Sequence, residues 1–241
     1  MLDNLNIEDI LFIDIETVPQ HPSFDNLDER MSKLWEKKST PFRDDDQSPA
    51  DVYQRAGIYA EFGKIVCISA GAVVQKMGEP YFRVKSYYSD DEKSLLQEFG
   101  NMLDRFTVTR QKRLCGHNGI EFDFPYIARR MLINGLKLPK YLNIAGAKPW
   151  EVKDMLIDTM QLWKFGDFKH YSSLDLLCAI FNIPTPKDDI DGSQVAHVYY
   201  EENDLERIAR YCEKDVLATA QLMLRYKNME LIPEENFEVA P

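Results

Sequence analysis

NDLERIARYCEKDVLATAQLMLRYKNM, residues 203–229, sets the terms for the rest of the chain. At about 100° per residue, Leu205, Ile208, Cys212, Val216, Ala220 and Met223 share one apolar face. Arg207, Arg210, Lys214 and Arg225 share the other. The pattern predicts one long helix that lays its apolar face on a core. Tyr211 and Asp215 stand at the edge of that face, one turn apart. A carboxylate turned toward a core is costly unless a cation meets it. No Lys or Arg shares this edge within a turn. The partner of Asp215 therefore comes from elsewhere in the chain or is a metal ion.

ILFIDIETV, residues 10–18, supplies a second misplaced set of charges. Its β-branched, apolar character predicts a buried central strand ended by Pro19. Asp14 and Glu16 are its only charges and, two apart, point to the same side. Adjacent carboxylates repel, and both are hard to keep ionised without a cation. The competing reading carries them past the strand end into solvent.

Between these two stretches the chain alternates. Residues 20–60 read as an insertion, with a helix near 26–37 followed by the polar, proline-bearing STPFRDDDQSPAD, expected to be a poorly ordered loop. Strands are expected at 63–74 and 79–89, joined as a hairpin through Lys76–Pro80. Ser89, with Glu92 three residues on, predicts a capping box at the start of a helix. RLCGHNG (113–119) reads as a fourth strand running into a glycine turn. FDFPYIARRMLING reads as a helix that Pro125 can start and Gly135 can end. MLIDTMQLW (155–163) is a fifth strand passing into a helix, with Asp158 as a capping residue. YSSLDLLCAIFNI is a further helix capped by serine, and DDIDGSQVAHVYYEEN is a connecting loop. A three-strand meander followed by alternating helices and strands predicts an α/β domain with a mixed five-stranded sheet.

Composition sets outer limits. The 241 residues predict a single domain, 1–241, carrying the insertion, and 44% apolar residues suffice for a core. No apolar run approaches about 18 residues and the N-terminus is acidic, so neither a membrane span nor a secretory leader is expected. Cys67, Cys115, Cys178 and Cys212 are widely spaced and read as reduced core thiols of a cytoplasmic protein. The net charge of −11 argues against a simple electrostatic nucleic-acid binder. Residues 105–170, however, hold twelve Lys and Arg against six Asp and Glu, which reads equally as a stretch able to meet a polyanion locally or as ordinary solvated surface charge. Trp150, Trp163 and Phe165 lie in it, although aromatics of this kind are more often core.

Three acidic sites thus follow in order. They are D-x-E at Asp14 and Glu16, N-x-x-x-x-D at Asn118 and Asp123 within HNGIEFDFPYIARR, and Y-x-x-x-D at Tyr211 and Asp215. Y-x-x-x-D recurs at Tyr87, Tyr171 and Tyr200, but Tyr171 stands before its helix while Tyr211 lies well inside one. Read locally, Asp123 is also a natural helix-start residue, and Asn118 could simply shape the turn with Gly119. Taken together, the motifs resemble those of the DEDD exonuclease superfamily, over about residues 8–230, and the tyrosine marks its DEDDy branch. The likeness is to the proofreading exonuclease domain of family B DNA polymerases and to the stand-alone bacterial proteins predicted to be related to it.

The resemblance implies a ribonuclease H-like fold and a metal-dependent 3′–5′ exonuclease, acting on single-stranded nucleic acid with DNA favoured and releasing nucleoside 5′-monophosphates. It implies two divalent ions, Mg²⁺ or Mn²⁺, held by Asp14, Glu16, Asp123 and Asp215. Asp14 would bridge both ions, Glu16 and Asp215 would hold the one that activates water, and Asp123 would support the second through water. Tyr211 would orient the attacking water. Its phenol, with an ordinary pKa near ~10, is no base at neutral pH. Thr17 and Asn118 would meet substrate, whose partner chain is a DNA or RNA 3′ end. DNA repair is the implied setting. A proofreading partner acting in trans with a polymerase, or a non-catalytic nucleic-acid-binding subunit, is the alternative. His117 and His197 read as structural.

Overall fold

The computed structural model describes residues 2–109, 111–167, 171–184 and 189–240. Its frame is a mixed sheet of six strands. They are β1 (Ile10–Pro19), β2 (Gly63–Lys76), β3 (Glu79–Tyr88), β4 (Arg113–Gly116), β5 (Leu156–Asp158) and β6 (Phe237–Val239), in the order β5-β4-β1-β2-β3-β6. β1 is central, antiparallel to β2 and parallel to β4. The β2–β3 hairpin turns at Met77 and Gly78, both left-handed (φ 52° and 87°), as a two-residue hairpin requires. The expected five-stranded mixed sheet is present with one strand added. β6 runs parallel to β3 in the register Phe82↔Phe237, and those two rings stack with centroids 6.4 Å apart. Three residues show no usable alternation, so β6 was not readable in advance.

The helices are α1 (Glu29–Ser39), α2 (Glu92–Phe106), α3 (Asp123–Ile133), α4 (Pro149–Met155), α5 (Thr159–Trp163), α6 (Leu174–Ile180), the single turn α7 (Val195–His197) and α8 (Leu205–Tyr226). None is long and apolar enough to cross a membrane. The alternation of β1 divides the molecule. Leu11, Ile13 and Ile15 join α2 and α3 in one core through Leu96, Phe99, Phe124 and Ile127. Ile10 and Phe12 face the other way, onto Val216, Ala220 and Met223 of α8. Val18 continues that face onto Ile208 and Cys212. By the same parity, Asp14 and Glu16 point at α8.

Three local expectations are corrected. The cap of α2 is Asp91, whose side chain accepts from the Ser94 N–H, while Ser89 bonds back to Asp91. Glu92 is free to turn inward. Its carboxylate receives Arg130 Nε (2.8 Å) and Nη2 (2.6 Å), the Ile65 N–H (2.7 Å) and Asn134 Nδ2 (2.9 Å). Arg130 also reaches Ala60 O (2.9 Å) and Gln20 Oε1 (3.2 Å), tying both ends of the 20–60 segment to α3. Second, the polar stretch after α1 is structured. Trp35 is wholly buried against Tyr53 and Phe62, and its indole N–H donates to Pro49 O at 2.8 Å. Third, the expected loop before α8 contains α7 and a π-helical turn, Val198–Glu202, ended by the left-handed Asn203.

Removing Arg130 leaves Glu92 buried without its counter-charge, a loss of about 3–5 kcal/mol. Arg130→Met should therefore lower the urea midpoint strongly, and the double variant Arg130→Met/Glu92→Leu should recover part of that loss.

Candidate metal centre

Each acidic side chain is delivered by a different constraint. β4 pairs with β1 only as far as Phe12↔Cys115. Beyond that point the amide of Ile15 has no strand partner and donates to Asp123 Oδ1 at 3.1 Å. Asp123 is the first residue of α3 and only 4% exposed, and its carboxylate accepts from its own backbone N–H, as a helix-start residue can, and reaches across to β1 as well. The chain reaches it through a tight turn. A Cβ on Gly119 would sit 3.1 Å from Gly116 Cα and from the Phe124 ring, so both glycines are needed for that approach. Asn118, at φ 65°, turns the backbone, and its Oδ1 is buried with no protein partner among the described residues.

Asp158 holds this turn. It caps α5 through the Met160 and Gln161 N–H groups and also accepts those of Asn118 and Ile120. The sequence marks it as a cap; its grip on the Asn118 loop, from forty residues away, is visible only in three dimensions.

α8 brings the last pair. Tyr211 is buried and its hydroxyl hydrogen-bonds Asp215, as one-turn spacing allows. Tyr171, in the competing motif, is exposed and precedes α6. Cys212, one residue past Tyr211, donates its S–H to Asp14 O (3.4 Å) and Oδ2 (3.3 Å). One carboxylate oxygen each of Asp14 and Glu16 and the Cys212 sulfur lie within 4.8 Å of one another. The sequence placed Cys212 in the core and missed its contact with Asp14.

The electrostatics are uniform in sign. Burial raises the Asp14 carboxyl well above its ordinary range, and the charges of Asp123 and Asp215 raise it further. Glu16 is raised by burial and then by Asp14 and Asp215. Asp123 is pushed up to about 7, first by burial, against the pull of its backbone hydrogen bonds. The Tyr211 phenol is raised by burial and by Asp215, Glu16 and Asp14, so it stays protonated at neutral pH. The charges acting on Asp14 and Glu16 are other acids, and Glu16, only 7% exposed, has no hydrogen-bonding or ionic partner among the described residues. Such a group belongs beside a cation. The donors are oxygen-rich and hence fit a hard divalent ion.

Asp14, Glu16, Asp123, Tyr211 and Asp215 are thus neighbours. Thr17 is different: its hydroxyl is engaged by Tyr126, which in turn donates to Gly57 O at 2.7 Å. His117 is structural, as expected, bridging Thr159 and Ser172. Of the aromatics in the basic stretch, Trp163 stacks on Tyr226 in a core cluster, while Trp150 and Phe165 are exposed. A buried polar row went unforeseen. Ser69, the register partner of Asp14, bonds Ser86, which bonds Glu213 of α8.

Residues 58–238 match the model of a family described as predicted 3′–5′ exonucleases related to the exonuclease domain of PolB. The match takes in Asn118, Asp123, Tyr211 and Asp215 and begins beyond Asp14 and Glu16. The chain is also 26% identical over 191 residues to a DNA polymerase of Pyrococcus glycovorans, covering 70% of this chain and 23% of the polymerase. It therefore spans about a quarter of the length of that curated relative.

A carboxyl pKa raised by folding favours the folded state while the group is protonated, and the benefit is lost as pH rises through the folded value. For Asp123 that window runs from 3.8 to about 7. Without added metal, the melting temperature should fall as pH rises across it. Asp123→Asn, which can still accept from Ile15, should flatten the fall, and Mn²⁺ should reverse it in the unsubstituted protein. Thermal melts over the pH series measure all three.

Proposed function

Because this chain belongs to the family of predicted 3′–5′ exonucleases related to the exonuclease domain of PolB, we propose that it hydrolyses single-stranded nucleic acid, DNA in preference, from the 3′ end. The products are nucleoside 5′-monophosphates. The observation that carries this reading is the gathering of Asp14, Glu16, Asp123 and Asp215, and above all the buried Glu16, which has no hydrogen-bonding or ionic partner among the described residues.

Two divalent ions, Mg²⁺ or Mn²⁺, would supply Lewis acidity toward the phosphate and a nucleophilic hydroxide from water. Asp14, Glu16 and Asp215 would hold these ions. Asp123, its carboxylate already accepting from the Ile15 amide and from its own backbone N–H, would support the ions through water. Tyr211 keeps its proton, so its role is to orient the attacking water, with Asp215 as its anchor. The orphaned Oδ1 of Asn118 takes a substrate hydroxyl. With its hydroxyl held by Tyr126, Thr17 meets the terminal sugar through its backbone. The unit is the whole of 1–241, with 20–60 as an insertion braced against α3. The DNA polymerase relative, of which the chain spans about a quarter, favours one further reading: proofreading in trans for a polymerase.

5′-labelled DNA and RNA oligonucleotides with Mg²⁺ or Mn²⁺ should shorten stepwise from the 3′ end. No shortening in either metal would refute the reading. Asp14→Ala should slow cleavage roughly a thousandfold, the equivalent of several kcal/mol of lost charge stabilisation. Tyr211→Phe removes one hydrogen bond and should cost about tenfold in rate with Mn²⁺ binding retained.

A further inference from the structure

The donor set at the centre is not made of oxygen alone. Cys212 Sγ lies 3.3 Å from Asp14 Oδ2, and together with one oxygen of Glu16 the three donors fall within 4.8 Å of each other. A tetrahedral ion with metal–oxygen bonds of about 2.0 Å and a metal–sulfur bond of about 2.3 Å separates sulfur from oxygen by roughly 3.5 Å. The spacing of Cys212 and Asp14 is already close to that value. Glu16, buried and unpartnered, supplies the independent sign that something positive belongs there.

We propose that Cys212 makes this centre a binding site for a thiophilic divalent ion, Zn²⁺ or Cd²⁺, held by Asp14, Glu16 and the Cys212 sulfur, and that such an ion shuts out the hard ions used for hydrolysis. The proposal rests on the reading of Asp14 and Glu16 as metal ligands. Mg²⁺ takes oxygen donors and leaves the thiol as it stands, hydrogen-bonded to Asp14. Zn²⁺ and Cd²⁺ are borderline or soft, and thiolate ligation selects them. When either binds, the S–H bond breaks, the sulfur–metal bond forms, and the proton leaves to water. No oxidant or reductant takes part. With three protein donors and one open position, the ion is bound tightly but lacks the paired arrangement that a phosphodiester needs. The ratio of zinc to magnesium then governs whether the enzyme is active.

The test uses the full chain freed of metal. Cd²⁺ is added while sulfur-to-cadmium charge-transfer absorption in the near ultraviolet is followed, with Mn²⁺ calorimetry in parallel. Wild type, Cys212→Ser and, as a thiol buried elsewhere, on α6, Cys178→Ser are compared, with circular dichroism as the check of folding. The expected result is an absorption band in wild type and in Cys178→Ser, its loss in Cys212→Ser, and Mn²⁺ binding in all three. Zn²⁺ should weaken Mn²⁺ binding by roughly tenfold or more in wild type and by much less in Cys212→Ser. A band that survives in Cys212→Ser, or no band in a wild type that binds Mn²⁺, overturns the proposal and leaves the exonuclease reading intact. A wild type that binds neither ion overturns both.

Discussion

The repulsion among acids enclosed between β1 and α8 is the constraint on which the rest of this molecule depends. Strand parity aims Asp14 and Glu16 at the same face of the sheet that Ile10, Phe12 and Val18 bury under α8. An apolar strand could not hold two charges there unless the covering helix brought something compatible. α8 brings Asp215 and Tyr211, which makes the field more negative. The fold therefore spends packing energy to hold like charges together. This is the usual relation between a stable scaffold and a strained functional centre.

The remaining elements serve that enclosure. β4 stops short of the acidic end of β1, and its early end frees the Ile15 amide that fixes Asp123. Asp158 holds the turn leading there by two backbone N–H groups while capping α5 with two more. The Glu92–Arg130 pair locks α2, α3, β2 and the inserted segment into one body. Under α8, the Ser69–Ser86–Glu213 row lets polar groups cross the sheet without unpaired atoms. Cys212 closes the near end of this polar zone against Asp14.

Much of this was legible in the chain. The long helix appears where periodicity puts it, within two residues at the start and three at the end. β1, the β2–β3 hairpin and the cap at Asp158 follow from β-branching, turn chemistry and capping preference. These are local effects, and local residues record them. What could not be read has the opposite character. Ser89 and Glu92 form a capping box on paper, but Glu92 has a better partner in Arg130, thirty-eight positions away. β6 exists because β3 offers an edge and Phe82 a ring to stack on.

For the site, the sequence by itself determined which residues carry the charge: the order Asp14, Glu16, Asp123, Tyr211, Asp215 and the one-turn spacing of the last two. Parity and helical period dictate those facts, and both are properties of a few adjacent residues. Only the tertiary structure decided that Asp123 spends an oxygen on β1, that Thr17 is held by Tyr126, and that a thiol read as inert core touches Asp14. Each is a contact between segments far apart in the chain. Which segments meet depends on how the whole sheet and its helices pack, and no short stretch of sequence contains that information.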